Sequence, residues 1–170
     1  MTKLVVSPIE KGRIRLRLLE KTDLPMTLRW RNQDHIRRWF VHSDPISPES
    51  HEGWFSEYLE RDDDYLFMIE EIRDLRRPVG QISIYKIDWA EKHGEFGRLL
   101  IGDSEARGKG IAKEATHLLL HHAFTRWGLE RIELEVLSDN APATTIYRDL
   151  GFREVSQLNG LTRLIKMGNP

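Results

Sequence analysis

The sequence holds no cysteine among its 170 residues, and that one absence removes disulfide frameworks, thiolate metal sites and cysteine nucleophiles together. It fits a reducing compartment. Long apolar runs are also missing: nowhere do about 18 apolar residues follow one another, and the stretch from Met1 to Pro8 is too short for a signal peptide. The expected location is therefore cytoplasmic. Nor is there an excess of either charge, because 26 Lys and Arg face 27 Asp and Glu with the signs interspersed. No strong field is available to attract nucleic acid or an anionic membrane. Repeats, Pro-rich linkers and low-complexity blocks are absent too, so residues 1–170 read as a single domain.

What is present falls into short periodic segments. Ile14–Leu18 alternates apolar and basic residues and reads as a half-buried strand. Thr22 or Asp23 caps a helix carrying Leu24, Leu28 and Trp30, and a second short helix is expected from Asn32 or Asp34 through Ile36 and Trp39. Ser47 followed by Pro48 opens a third helix bearing Trp54, Phe55, Tyr58 and Leu59. Strands follow at 65–69, 79–85 and 95–101, with Asp62–Asp64 read as a turn. A helix of about twenty residues is expected from Gly108 to Trp127, with Gly128 as its stop. Ile132–Val136 alternates strictly, placing its glutamates on one face. A last helix from Asn140 to Leu150 and strands at 152–156 and 161–167 complete the order β-ααα-βββ-α-β-α-ββ. The fold class is α/β in the α+β sense, with a mixed, mostly antiparallel sheet of about seven strands flanked by about four to five helices.

The stretch from Leu99 to Ala112 is a strand, a glycine-rich turn and a helix start. Gly108 and Gly110 remove side chains where the backbone turns, and the helix start offers unpaired N–H groups to an anion. Arg107 and Lys109 add charge there. The spacing matches neither a P-loop nor a dinucleotide-binding fingerprint. Arg107-Gly108-Lys109-Gly110-Ile111-Ala112 instead resembles the Gln/Arg-x-x-Gly-x-Gly/Ala signature of the GNAT superfamily of acyl-CoA-dependent N-acyltransferases. The segment from Asn140 to Phe152 is similar to that superfamily's Asn-x-x-Ala-x-x-x-Tyr-x-x-x-Gly-Phe run, so the resemblance covers residues 65–167.

The resemblance implies that the backbone of Arg107, Gly108, Lys109, Gly110, Ile111 and Ala112 holds the pyrophosphate of acetyl-CoA. It implies as well that Leu100, Ile101 and Gly102 pair with the pantetheine arm like an added strand, that Asn140 helps hold that arm, and that Tyr147 sits beside the thioester sulfur. An attacking amine must be neutral, so a base is required, and the leaving thiolate needs a donor. Tyr147 is the expected donor. Glu135 is the expected base, as in ribosomal-protein N-terminal acetyltransferases with a similar Leu-Glu-Val strand, and Glu95 is the competitor. The backbone N–H near Ile101 is placed to hold the thioester oxygen. No metal is expected: His121 and His122 are adjacent on a helix and diverge.

Acceptor choice is expected from the first half. The runs Leu28–Asn32, Ile36–Phe40 and Ile46–His51 resemble a GNAT branch that acetylates amino groups on nucleotide-linked sugars. Trp30, Trp39 and Trp54 would wall the acceptor, Arg29, Arg31, Arg37 or Arg38 would meet a diphosphate and His51 a sugar hydroxyl. The expected substrate is thus a UDP-type amino-deoxy sugar, with a homodimer as a further expectation from similar proteins. The alternatives are a protein N-terminal amine, small amines such as polyamines, which would favour an acidic pocket, and a non-catalytic acyl-CoA-binding module.

Overall fold

The computed structural model describes residues 2–169. A hairpin of β1 (Ile9–Lys11) and β2 (Ile14–Leu18) leads into α1 (Leu24–Arg31), α2 (Asp34–Arg37) and α3 (Pro48–Glu60). The meander β3 (Tyr65–Glu71), β4 (Arg77–Asp88) and β5 (His93–Ile101) precedes α4 (Ile111–Thr125), β6 (Arg131–Leu137) and α5 (Ala141–Asp149). The chain finishes with β7 (Arg153–Leu158) and β8 (Leu161–Met167). The eight strands lie in the order β1-β2-β3-β4-β5-β6-β8-β7, and every neighbouring pair is antiparallel except β5 and β6.

The order of elements agrees with the sequence reading, with three corrections. An eighth strand, β1, is added; its three residues are too few for any periodicity and exist as a strand because Ile9 pairs with Leu16 across the turn. Helix α4 covers 111–125 rather than 108–127, because Gly108 and Gly110 take φ of +72° and +77°, outside the helical region. Helix α2 is a single turn that stops before Trp39.

β3 is buried on both faces, which explains its unbroken apolar run. Tyr65, Phe67 and Ile69 join the larger core beneath α4, whereas Leu66 and Met68 join a second core formed with α1–α3. Helix α3 begins at the Ser47 hydroxyl, which accepts from Ser50 N at 3.1 Å. It is tied to β3 through Tyr58, whose hydroxyl accepts from Leu66 N at 3.1 Å.

Trp30 belongs to this second core, 5% exposed, with its ring lying over Gly102 just past β5. A Cβ at residue 102 would stand 2.1 Å from Trp30 Cγ. Gly102→Ala is therefore expected to destabilise the protein by roughly 3 kcal/mol through overpacking. Urea unfolding with and without a compensating Trp30→Leu checks this: an unchanged midpoint for the single variant would refute it.

Candidate active site

The parallel strands β5 and β6 pair only from His93 with Arg131 to Glu95 with Glu133. Beyond that rung β5 pairs with β4 and β6 with β8, so the strands part in a V. A bulge accompanies the parting. Gln81 faces Leu100 and Ser83 faces Gly97, leaving Arg98 in the left-handed region at φ +52°. Gln81 Nε2 donates to Arg98 O at 3.1 Å and Ser83 Oγ donates to Gly97 O at 3.0 Å, which holds the bulge in place. A cavity of about 620 Å³ opens at this point, roofed by residues of α1, α3 and the loop between α2 and α3.

Tyr147 reaches the cavity from α5, whose start is capped by Asn140 Oδ1 accepting from Ala143 N at 3.3 Å. The phenol ring packs edge-on against Phe96 and Phe152, with centroids at 5.7 and 5.8 Å. Burial, and secondarily Tyr85, push its pKa well above the ordinary phenol value. Among the described residues its hydroxyl has no hydrogen-bond partner. The group is thus a neutral donor held at the cavity wall.

The acceptor side of the sheet carries Glu95, Glu133 and Glu135. Glu133 is occupied by Arg163 at 2.8 Å. Glu95 has Lys86 Nζ at 3.4 Å, and Glu135 is exposed; both line the cavity. Arg98 is clamped by Asp64, a residue only 3% exposed, through bonds of 2.7 and 3.0 Å. Asp64 thus ends the turn buried, because the bulge presents it with a guanidinium. Arg98 in turn lies over the rings of Tyr85 and Trp54 at 4.4 and 5.3 Å.

Arg31, Trp39, His51 and Trp54 line the cavity as the sequence suggests, whereas Trp30 does not. His51 Nε2 contacts Thr27 Oγ1 at 3.0 Å and its ring stacks on Trp54. Thr27 Oγ1 also lies 3.2 Å from Leu24 O, so its hydroxyl is shared between that carbonyl and the imidazole. Burial lowers the pKa of this imidazole. Arg31 packs over Phe40 at 4.0 Å and bonds His42 O, while its buried Nη1 finds no hydrogen-bond partner.

At the far end of β5 the glycine turn is exposed, and Ile111 anchors the helix start in the core. Arg13, which the sequence reading passed over, bonds Lys109 O and pairs with Glu114 at 2.6 Å, stapling the turn to α4. Two expected contributors stand differently. Arg107 is folded back onto Ile101 O and Gly102 O, each at 3.3 Å. Gly102 N donates to Val79 O at 2.8 Å, so this amide is engaged with β4. Tyr85, Lys86 and Arg98 were not legible as site residues, because only the bulges in β4 and β5 bring them to the cavity.

Residues 13–153 match the family model described as an acetyltransferase (GNAT) domain. The chain belongs to this family. Among GNAT relatives it is 29% identical over 136 residues to an N-acetyltransferase 9-like protein of Caenorhabditis briggsae, covering 75% of this chain and 68% of that one. It is 31% identical over 114 residues to an uncharacterized N-acetyltransferase of the SPbeta prophage of Bacillus subtilis, covering 67% and 62%. Its fold is similar to that of a Vibrio cholerae spermidine N-acetyltransferase in complex with CoA and spermine. The TM-score is 0.81 at 23% identity, over 92% of this chain and 96% of that one. Among the described residues no helix is long and apolar enough to cross a membrane, and no cluster of His, Asp and Glu could hold a metal ion.

Proposed function

We propose that residues 1–170 act as one catalytic unit, transferring an acetyl group from acetyl-CoA directly to the primary amine of a small acceptor in this cavity. The carrying observation is the V between β5 and β6, with the unpartnered Tyr147 hydroxyl at its wall and the glycine turn at its end. Bound acetyl-CoA supplies an activated acyl group and a thiolate leaving group. The β5 edge near Leu100 and Ile101 receives the pantetheine arm beside Asn140, and the amides from Gly108 to Ala112 receive the pyrophosphate. An N–H near Ile101 stabilises charge developing on the carbonyl oxygen.

Tyr147 acts as hydrogen-bond donor to the departing sulfur. Full proton transfer from a phenol at about 10 to a thiolate whose acid is near 8.5 is already uphill by about 2 kcal/mol, and the raised pKa makes it more so. The acceptor ammonium loses its proton to Glu95 or Glu135, directly or through water.

The acceptor we favour is a nucleotide-linked amino sugar. Trp39, Phe40 and Trp54 offer aromatic walls, and the buried Arg31 Nη1 calls for an anionic partner. A polyamine reading draws on the Vibrio neighbour, but with Lys86 paired to Glu95 and Arg98 to Asp64, Arg31 is left as a cation with an unpartnered nitrogen at the cavity, a poor match for a polycation. Coenzyme A thiol release is the test, with a UDP-linked 4-amino-4,6-dideoxy sugar, spermidine and ribosomal N-terminal peptides run side by side. The sugar should turn over at least tenfold better in kcat/KM. Spermidine or peptide in front would overturn the acceptor. Silence on all three, with acetyl-CoA still bound, would leave a binding module.

A further inference from the structure

Glu95 stands on the last rung that β5 shares with β6, at the closed end of the V. Tyr147 lines the same cavity as Glu95 and Tyr85. An amine beside that phenol can lose its proton to the carboxylate through a carrier. Tyr85 is built for this. It faces Glu95 directly across β4 and β5, and the Glu95 carboxylate lies beside its phenol. Its ring then leans two residues along the strand, over Gly97: a Cβ on Gly97 would stand 3.0 Å from both Tyr85 Cε1 and Oη. Glycine leaves the phenol room there, and a larger residue would press on it. Arg98 covers one side of the ring, and Lys86, at φ +49° beside an irregularity in β4, brings its ammonium 3.4 Å from Glu95. The phenol thus stands beside the Glu95 carboxylate and in the wall of the cavity.

We infer that Tyr85 is a further catalytic residue, relaying the proton of the acceptor ammonium to Glu95. In this step the ammonium N–H bond breaks as a new O–H bond forms on Tyr85, whose original proton passes to the Glu95 carboxylate. The products are a neutral amine, an unchanged phenol and a carboxylic acid, so charge and protons balance. The inference rests on the acetyl-transfer reading and makes Glu95, rather than Glu135, the terminal base.

Tyr85→Phe keeps the ring over Gly97 and deletes only the relay atom. With whichever amine the wild type accepts, Tyr85→Phe and Glu95→Gln should each lower kcat/KM by about a hundredfold. The double variant should be no worse than either, since the two act as one unit. The KM for acetyl-CoA and the melting temperature should hold, and the acid limb of the acceptor kcat/KM profile should move to higher pH. Independently of turnover, ultraviolet titration of the phenols should show one group shifted by Glu95→Gln in the wild type and none shifted in the Tyr85→Phe background. Tyr85→Phe within twofold of wild type with an unmoved acid limb, losses that multiply, or a titration blind to Glu95 would each overturn the relay while acetyl transfer stands. A wild type inert toward every amine sinks the acetyl-transfer reading itself, and the relay with it.

Discussion

Tyr147→Phe is expected to lower kcat by about a hundredfold to a thousandfold while acetyl-CoA binds as before. The ring itself holds the site together through Phe96 and Phe152, and phenylalanine keeps both contacts. Only the hydroxyl is lost, and among the described residues it donates to nothing. Removing it leaves no buried partner unsatisfied, so the melting temperature should hold within about 2 °C. The defect is thereby separated from folding: kcat falls with the departing thiolate undonated, whereas the dissociation constant for acetyl-CoA, measured by calorimetry, stays put. Full turnover in Tyr147→Phe would remove the phenol from the chemistry and leave it a core aromatic.

The second large effect is on stability. In Asp64→Asn the Arg98 guanidinium loses the two charge-assisted bonds that hold it over the bulge. Breaking one partner of a buried pair strands the other charge, and the loss is put at about 3 kcal/mol, the low end of the range, because Arg98 remains 26% exposed and water reaches it. For a chain of this length that corresponds to roughly 6 to 12 °C in melting temperature. Asp64→Asn combined with Arg98→Met should recover part of this, since no charge is then stranded. Because Arg98 also lies over Trp54 and Tyr85, the acceptor KM should rise in the single variant. A melting temperature within about 2 °C of wild type would show the pair to be dispensable.

What was legible in the sequence followed from local rules. Alternation marked β2 and β6 and the Ser47-Pro48 pair marked the start of α3, since each is a property of neighbouring residues, whereas α4 starts only past the second glycine. Tyr147 and Asn140 were found because the segment from Asn140 to Phe152 resembles a GNAT superfamily run. Trp30 shows the opposite case. An aromatic on a short helix beside a site reads equally well as wall or as core, and only Gly102, 72 positions away in sequence, decides that it is core. Asp64 likewise reads only as part of a turn until the bulge presents Arg98 to it.

By itself, then, the amino-acid sequence determined the order of elements apart from β1, and the glycine turn before a helix, both set by spacing along the chain, and its resemblance to the GNAT superfamily marked the candidate phenol. The tertiary structure alone decided that β5 and β6 part after Glu95, that a bulge turns Arg98 and Tyr85 toward the gap, and that Arg31 keeps a buried nitrogen without a partner. Those features depend on strand register and on contacts between residues far apart in sequence, and register is fixed by packing of whole faces rather than by any local pattern.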